Sequence, residues 1–570
     1  TKFDTAGYLK RLITRSGEPV IRSAMKQAMR IMGKQFVLGR TIEEALGIAK
    51  ELEAEGYRFS YDMLGEAAFT ADDAKKYFTS YKSALKRLGV RATGSDVFSR
   101  PSISVKLSAL HPRYEVKQQA RVRGELLPQI IELAVLAKSL NVGLTIDAEE
   151  VNRLDLSLDL FESLAADPSL KGWNGLGLAV QAYGKRAKPV LEWLARLAET
   201  TQRVLPVRLV KGAYWDTEIK RAQEAGLEAY PLFTRKVSTD VSYLACARFM
   251  LAKRNLFYPQ FATHNAHTIA AVKIMAGEQG GYEFQRLHGM GQALYEQVVG
   301  PKKMNLPCRI YAPVGSHEDL LAYLVRRLLE NGANTSFVNR LADDDAPIAD
   351  IIADPVVEVS ALPQIPHPGI PAPRNIFEGR ASSAGAPLWD DVTRAKILDG
   401  IKRELVKPAE ASTLVDGKAV RGGPLRNINA PHDSRVNVGV VHEADEKAVA
   451  QAMASASKQQ HDWDLLGGTA RADILDKAAS LYEEKSARLM ALLVQEAGKT
   501  LDNALSDLRE AVDFLRYYAA QARAEFSGVL RLPGPTGESN ELTLHGRGVF
   551  ACISPWNFPL AIFTGQIAAA

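Results

Sequence analysis

Between residues 59 and 314 the chain alternates short apolar runs with longer segments of helical period. FSYDM (59–63), ISVKL (103–107), LTID (144–147), LGLAVQA (176–182), VRLVKG (207–212), FATHN (261–265), FQRLHG (284–289) and RIYAPV (309–314) read as eight strands. The segments after them place apolar residues at three- and four-residue intervals. Examples are RGELLPQIIELAVLAKSL after the second strand, VLEWLARLAETT after the fourth and DLLAYLVRRLLE after the eighth. Eight strand-helix units in roughly 280 residues match the size and period of a (β/α)8 barrel better than an open doubly wound sheet.

The flanks read differently. Residues 8 to 55 carry a helical pattern in which Lys10, Arg22, Lys26, Arg30 and Lys34 interrupt apolar positions, as on a solvated face. This gives a helical arm over 1–54 and a barrel over 55–340. DDDAP, PQIPHPGIPAPRN and ASSAGAP are rich in proline, glycine and small residues, which predicts a linker over 341–435. From 436, VNVGVVHEAD leads into helices at 445–460, 469–497 and 500–526, then a β-like stretch ELTLHGRGVFACISPWNFPL. The chain stops at GQIAAA inside a further helical pattern, so 436–570 reads as an incomplete α/β segment.

Composition bounds the function. With 570 residues the chain is too long for one core, and about three units are expected. No apolar run approaches the roughly 18 residues of a membrane span. The formal charge of +5 is too small to suggest a nucleic-acid coat. Cys246, Cys308 and Cys552 lie far apart without CxxC spacing, against a disulfide framework or cysteine zinc site and in keeping with a cytoplasmic location. The first residues, TKFDTAGYLKRL, lack both an initiator Met and a signal core, as an excised piece would.

Barrel enzymes place their chemistry at the C-terminal ends of the strands. Those ends are polar throughout: Glu66; Lys106; Asp147 with Glu149 and Glu150; Gln181; Arg208 with Lys211; Thr263, His264 and Asn265; Gln285 and His288; Tyr311. Any one of them could be a capping or loop residue; eight of eight ends is harder to dismiss. Residues 320–338, LLAYLVRRLLENGANTSFV, add a helix with Leu321, Leu324, Val325 and Leu328 on one stripe and Tyr323, Arg326, Arg327 and Glu330 on the other. That polar side is either a solvated, salt-bridged face or a bidentate clamp for a carboxylate or phosphate. His264 and His267 in THNAH have i, i+3 spacing but no third ligand nearby, so no metal is assigned. HGMGQAL lacks the third glycine of a dinucleotide fingerprint and is rejected as one.

SVKLSALHPRY, LTIDAEE, VRLVKGAYWD, ATHNAHT, FQRLHGMG and YLVRRLLENGANTSFV, in that order, resemble the proline dehydrogenase barrel in the form found in the bifunctional proline utilization A flavoproteins. The resemblance implies an α/β fold, a distorted (β/α)8 TIM barrel, in which FAD oxidises L-proline to Δ1-pyrroline-5-carboxylate by hydride transfer from C5 to flavin N5. It implies catalytic roles for Arg208, Lys106, Asp147 and Tyr311. The substrate would meet Lys106, Tyr214, Leu287, Tyr311, Tyr323, Arg326 and Arg327. FAD would contact Asp147, Ala148, Gln181, Arg208, Val210, Lys211, Gly212, Ala213, Trp215, Thr234, Lys236, Thr263, His264, Asn265, Gln285, Leu287, Arg327 and Glu330. A quinone is the implied electron acceptor, with a peripheral contact at the inner face of the cytoplasmic membrane as the corresponding location, and nucleic acid is not expected as a partner.

ACISPWNFPLAI resembles the NAD-binding start of the aldehyde dehydrogenase family, where Ile553, Ser554, Pro555 and Trp556 would line the cofactor cleft and Asn557 would form part of an oxyanion hole. The second-step dehydrogenase activity is expected to be absent from this chain. Two rivals remain. One is a Schiff-base aldolase using Lys106 or Lys211, with the arginines on a phosphate. The other is a DNA-binding regulator, which would need a short basic strand before the barrel that the sequence does not offer.

Overall fold

A computed structural model describes residues 36–91, 94–315, 352–405 and 407–570. These divide into two compact units, one running to Ile219 and again from Pro231 to Pro368, the other made of Lys220–Tyr230 and Gly369–Ala570.

The first unit is a closed barrel of eight parallel strands in sequence order: β1 (Tyr57–Asp62), β2 (Ser102–Val105), β3 (Gly143–Ile146), β4 (Leu176–Gln181), β5 (Leu205–Val210), β6 (Phe257–Ala262), β7 (Glu283–Leu287) and β8 (Cys308–Pro313). Pairing of Tyr57 with Cys308 through Asp62 with Pro313 closes it. Eight predicted strands are thus found, each starting one to four residues before its predicted start, apart from the fourth, which starts where predicted. Successive strand side chains point to opposite faces, and here the apolar register faces outward. Phe59, Tyr61, Ile103, Val105, Leu144, Ile146, Leu178, Val207, Leu209, Phe261, Phe284 and Ile310 join the helices in one buried core. The inward register is polar, in contrast to the branched apolar layers that usually fill such barrels.

The helix layer is built as its pattern requires. In α3 (Leu127–Ser139) the buried side is Ile130, Leu133, Ala134 and Ala137. In α5 (Ala187–Thr201) it is Val190, Leu191, Leu194, Ala195, Leu197 and Ala198, and the helix ends on Gln202 in the left-handed region. The stretch before α3 differs from the continuous helix predicted there, because Val122–Leu126 forms a π-helical turn. Pro128 supplies the reason, since it donates no N–H and its ring crowds the carbonyl four residues earlier. Further helices are α1 (Ile42–Ala54), α2 (Ala71–Arg91), α4 (Leu154–Ala166), α6 (Trp215–Glu224), α7 (Lys236–Ala252) and α8 (Ala266–Ala276). The helix predicted around Arg326 and Arg327, and residues 1–35 of the predicted N-terminal arm, lie outside the described residues; the last part of that arm is helical, as α1.

The second unit corrects the predicted linker. Within 341–435 stand α9 (Asp391–Leu405), β9 (Ala409–Val415), β10 (Lys418–Val420) and β11 (Leu425–Ala430), and β12 (Asp433–His442) begins there. They form a sheet in the order β10-β9-β12-β11. β9 and β10 form a hairpin whose turn, Asp416-Gly417, has both residues in the left-handed region at φ 51° and 71°. Four helices follow, α10 (Glu446–Leu465), α11 (Gly467–Glu484), α12 (Ser486–Gln495) and α13 (Leu501–Glu525). Asp445 caps the first and Thr500 the last. The helix predicted at 469–497 is broken at Lys485. Of the β-like stretch 541–560 only the start is paired, Asn540–Leu542 against Leu530–Leu532, and the rest has no ladder partner among the described residues. There Ile553 and Trp556 are more than four-fifths exposed.

Candidate active site

Three tiers of polar side chains fill the barrel. At the floor, Arg309 Nε and Nη2 donate to Glu283 Oε1 and Oε2 at 2.6 and 3.1 Å. Arg58 Nη1 adds a bond to Glu283 Oε2 at 3.2 Å, and Gln260 Nε2 one to Oε1 at 2.9 Å. Burial opposes the charge of Glu283, but Arg309 holds its carboxyl below the usual range.

Arg208 on β5 occupies the middle tier. Its Nε donates to Gln285 Oε1 at 2.7 Å, Nη1 to Asp147 Oδ1 at 2.6 Å, and Nη2 to Ser60 and Ser104 Oγ at 3.1 and 2.9 Å. The guanidinium lies 5.1 Å from the centre of the Tyr311 ring. Gln285 cannot flip, because its Nε2 donates to Glu283 Oε1 at 3.1 Å and so turns Oε1 toward the arginine.

The upper tier is a cluster of four. Lys106 Nζ reaches Asp62 Oδ2 at 2.7 Å, Tyr311 OH at 3.3 Å and Asp147 Oδ2 at 3.4 Å. The phenol of Tyr311 is 2.7 Å from both Asp62 Oδ2 and Asp147 Oδ2. Burial opposes the charges of Lys106 and Asp62. The neighbours prevail: Asp62, Tyr311 and Asp147 hold the ammonium well above the ordinary lysine value, and Lys106 leads the groups that hold Asp62 below the ordinary aspartate value. Burial, then the two carboxylates, push the Tyr311 phenol well up. A Schiff-base nucleophile needs a lysine that deprotonates readily. Lys106 is the reverse, and Lys211 is ion-paired with Asp240, so the aldolase alternative loses both of its candidates.

Around the rim, Gln181 ties two loops together: its Nε2 donates to Glu149 O at 2.9 Å and its Oε1 accepts from Ala213 N at 3.2 Å. Val210 ends β5, its carbonyl taken by Ala182 N. Gly212 has φ 148°, and a Cβ there would stand 2.4 Å from the Tyr183 ring. Glycine is therefore required by that packing whether or not a ligand approaches. Tyr214 is buried, Ala148 half-buried and Ala213 exposed. Trp215 Nε1 is held by Phe233 O at 2.9 Å, and Thr234 Oγ1 accepts from His367 N at 3.0 Å. Thr263 Oγ1 accepts from Asn265 N at 3.1 Å, and Asn265 caps α8 through Thr268 N. His264 Nε2 accepts from Leu287 N at 3.1 Å, which takes up one of the two ring nitrogens that a metal reading of THNAH would use. Leu287 packs beside Phe36, Leu64 and Met290. Glu66 stands beyond the end of β1 and is half-buried. Tyr323, Arg326, Arg327 and Glu330 lie outside the described residues.

The donors present suit a flavin dinucleotide. Helix α7 starts at Lys236 without a side-chain cap at Arg235, so the N-terminal end of the helix carries the partial positive charge that suits a pyrophosphate. Arg208 supplies a fixed positive charge inside the barrel, where a flavin ring would gain charge on reduction.

The sequence reading missed Asp62, the acid that completes the cluster. It is the fourth residue of FSYDM, at the end of the first strand, while Glu66 was assigned to that end. The signal was present: an acid in the polar register of a strand that ends at the barrel mouth. The floor pair Glu283 and Arg309 was also missed, because both stand at strand starts.

The molecule is thus a (β/α)8-barrel protein with an ionised, polar interior opening at the C-terminal strand ends. The family model described as proline dehydrogenase matches residues 45–340, and the chain belongs to that family. A model for the aldehyde dehydrogenase family matches 423–570. A third, described as the DNA-binding domain of proline dehydrogenase, matches 1–36, at odds with the expectation that nucleic acid is no partner. The bifunctional protein PutA of Klebsiella aerogenes is 51% identical over 99% of this chain and 43% of its own length. Proline dehydrogenase 1 of Bacillus subtilis is 25% identical over 57% of this chain and 96% of its own. Crystal structures of proline utilization A from Bradyrhizobium japonicum superpose with a TM-score of 0.84 at 49% identity, covering 98% of this chain and 54% of theirs. That from Bdellovibrio bacteriovorus, inactivated by N-propargylglycine, gives 0.85 at 29% identity, covering 96% of this chain and 58% of its own. This chain spans under half the length of the curated PutA relatives it matches.

Proposed function

We propose that the chain oxidises L-proline to Δ1-pyrroline-5-carboxylate, with FAD bound at the barrel mouth accepting a hydride from proline C5 at flavin N5. The observation that carries the reading is the tiered polar interior, in which Arg208, Lys106, Asp147 and Tyr311 converge. The cluster Asp62, Asp147, Lys106 and Arg208 has two charges of each sign and is neutral, so it offers no surplus cation to a substrate carboxylate. Arg326 and Arg327 are the residues proposed to supply it, as a bidentate clamp, with Glu330 and Asp147 balancing charge. Tyr214, Leu287 and Tyr323 are proposed to wall the ring, so that binding becomes orientation of C5. Arg208 supports negative charge on the acceptor, held rigid by Gln285 and the two serines.

The rim residues Ala148, Gln181, Val210, Lys211, Gly212, Ala213, Trp215, Thr234, Lys236, Thr263, His264 and Asn265 are proposed to hold FAD. A quinone as final electron acceptor and peripheral contact with the cytoplasmic membrane follow from the family resemblance; none of the helices among the described residues is long and apolar enough to cross a membrane. For the segment matched by the aldehyde dehydrogenase model we propose no turnover in this chain. Cys246 and Cys308 are buried with their thiols pushed up by burial, unlike an activated nucleophile. The test is release of FAD on denaturation together with detection of the cyclic imine from L-proline; another cofactor, or no imine, refutes the proposal.

A further inference from the structure

Tyr311 has one phenolic proton and two carboxylate oxygens at the same 2.7 Å, Asp62 Oδ2 and Asp147 Oδ2. It can donate to one at a time. The surroundings of the two acids differ. Asp62 is fully buried, takes Lys106 Nζ on Oδ2 at 2.7 Å and accepts the Leu64 N–H on Oδ1 at 3.0 Å. Asp147 spends Oδ1 on Arg208, and beyond Tyr311 its Oδ2 has, among the described residues, only Lys106 at 3.4 Å. Two oxygens at 2.7 Å with no hydrogen between them repel. A proton on Asp147 Oδ2 removes the repulsion and completes a chain: Asp147 donates to the phenol oxygen, and the phenol donates to Asp62.

We propose that Asp147 Oδ2 is the acceptor of the proton that the substrate's ring ammonium must lose, and that Asp62 is a positioning residue, an anion kept charged so that it draws the Tyr311 proton and Lys106 away from that oxygen. This rests on the proposed amine substrate. In the step one N–H bond breaks, its electron pair stays on nitrogen and an O–H bond forms at Asp147 Oδ2. The neutral amine can then release hydride from C5 to the two-electron acceptor, leaving a C=N bond. The groups facing the pair from the described elements are Lys106 and Tyr311 for both acids, Arg208 for Asp147, and the buried Tyr81 phenol, whose oxygen accepts the Lys106 backbone N–H at 3.3 Å.

The test compares flavin reduction by L-proline across pH in the wild type, Asp62→Asn, Tyr311→Phe and the double variant. It is paired with the protons taken up on binding tetrahydrofuran-2-carboxylate, which replaces the ring NH by oxygen, counted by calorimetry in two buffers of different ionisation heat. In Asp62→Asn, Lys106 and the phenol proton turn to Asp147. The pH midpoint of the reduction rate should fall by at least one unit and the limiting rate at least tenfold, while proton uptake with the isostere drops. In the Tyr311→Phe background the same substitution should move the midpoint far less. An unmoved midpoint and unchanged proton uptake in Asp62→Asn would overturn the inference. If the wild type binds flavin but proline does not reduce it, the substrate reading fails instead, and the proton count still decides the cluster; if Asp62→Asn does not fold, the count in Tyr311→Phe decides it, since an uptake equal to the wild type would refute the shared proton.

Discussion

Glu283 and Arg309 face each other across the floor of the barrel in a two-pronged pair, 2.6 Å at one oxygen and 3.1 Å at the other, with both side chains essentially inaccessible to water. The pair fixes Gln285 and, through it, the plane of Arg208. Glu283→Gln leaves two guanidinium groups without their counter-charge and should lower stability by about 3–5 kcal/mol. Glu132→Ala breaks the exposed pair with Lys82 and should change it by under about 1 kcal/mol. Urea denaturation of the two variants provides the comparison; equal losses would refute the assignment of Glu283 as the electrostatic floor.

The arginine pair in 320–338 gives a sharper kinetic expectation. Arg326→Met or Arg327→Met should raise the KM for proline roughly 10- to 150-fold, since one charge-assisted bond is worth about 1.5–3 kcal/mol. Flavin content should fall less. An unchanged KM in both variants would restore the solvated-face reading of that helix.

Much of the barrel was legible in the sequence because its signal is local. Ser-Ile-Ser-Val at 102–105 states both registers at once, apolar outward and polar inward. Lys106, Asp147, Arg208 and Tyr311 could be picked out because each lies in that polar register, the first two just past the ends of β2 and β3 and the others within β5 and β8. Which of them touch was not legible: Ser60 meets Arg208 across 148 positions of chain, and only ring closure brings them together. The sheet at 409–442 was missed for the opposite reason, since its strands are largely exposed and carry few apolar residues.

His288 provides a pH test of the folded barrel. Burial, with Arg286 adding to it, pushes the imidazole from about 6.5 down to about 4. As pH falls below 6.5 the unfolded chain binds a proton that the folded chain refuses, so stability present above 6.5 is lost between 6.5 and 4. His288→Gln should flatten that part of the stability curve by up to about 3 kcal/mol. Parallel thermal unfolding of both proteins from pH 7 to pH 4 gives the difference; curves that stay parallel would mean that His288 is solvated.

Anaerobic titration of the purified protein with L-proline tests the central claim most directly. The account predicts a flavin absorption band that bleaches fully, with one proline oxidised to one cyclic imine per flavin. A protein without a flavin band, or with one that proline leaves oxidised while dithionite bleaches it, would contradict the account.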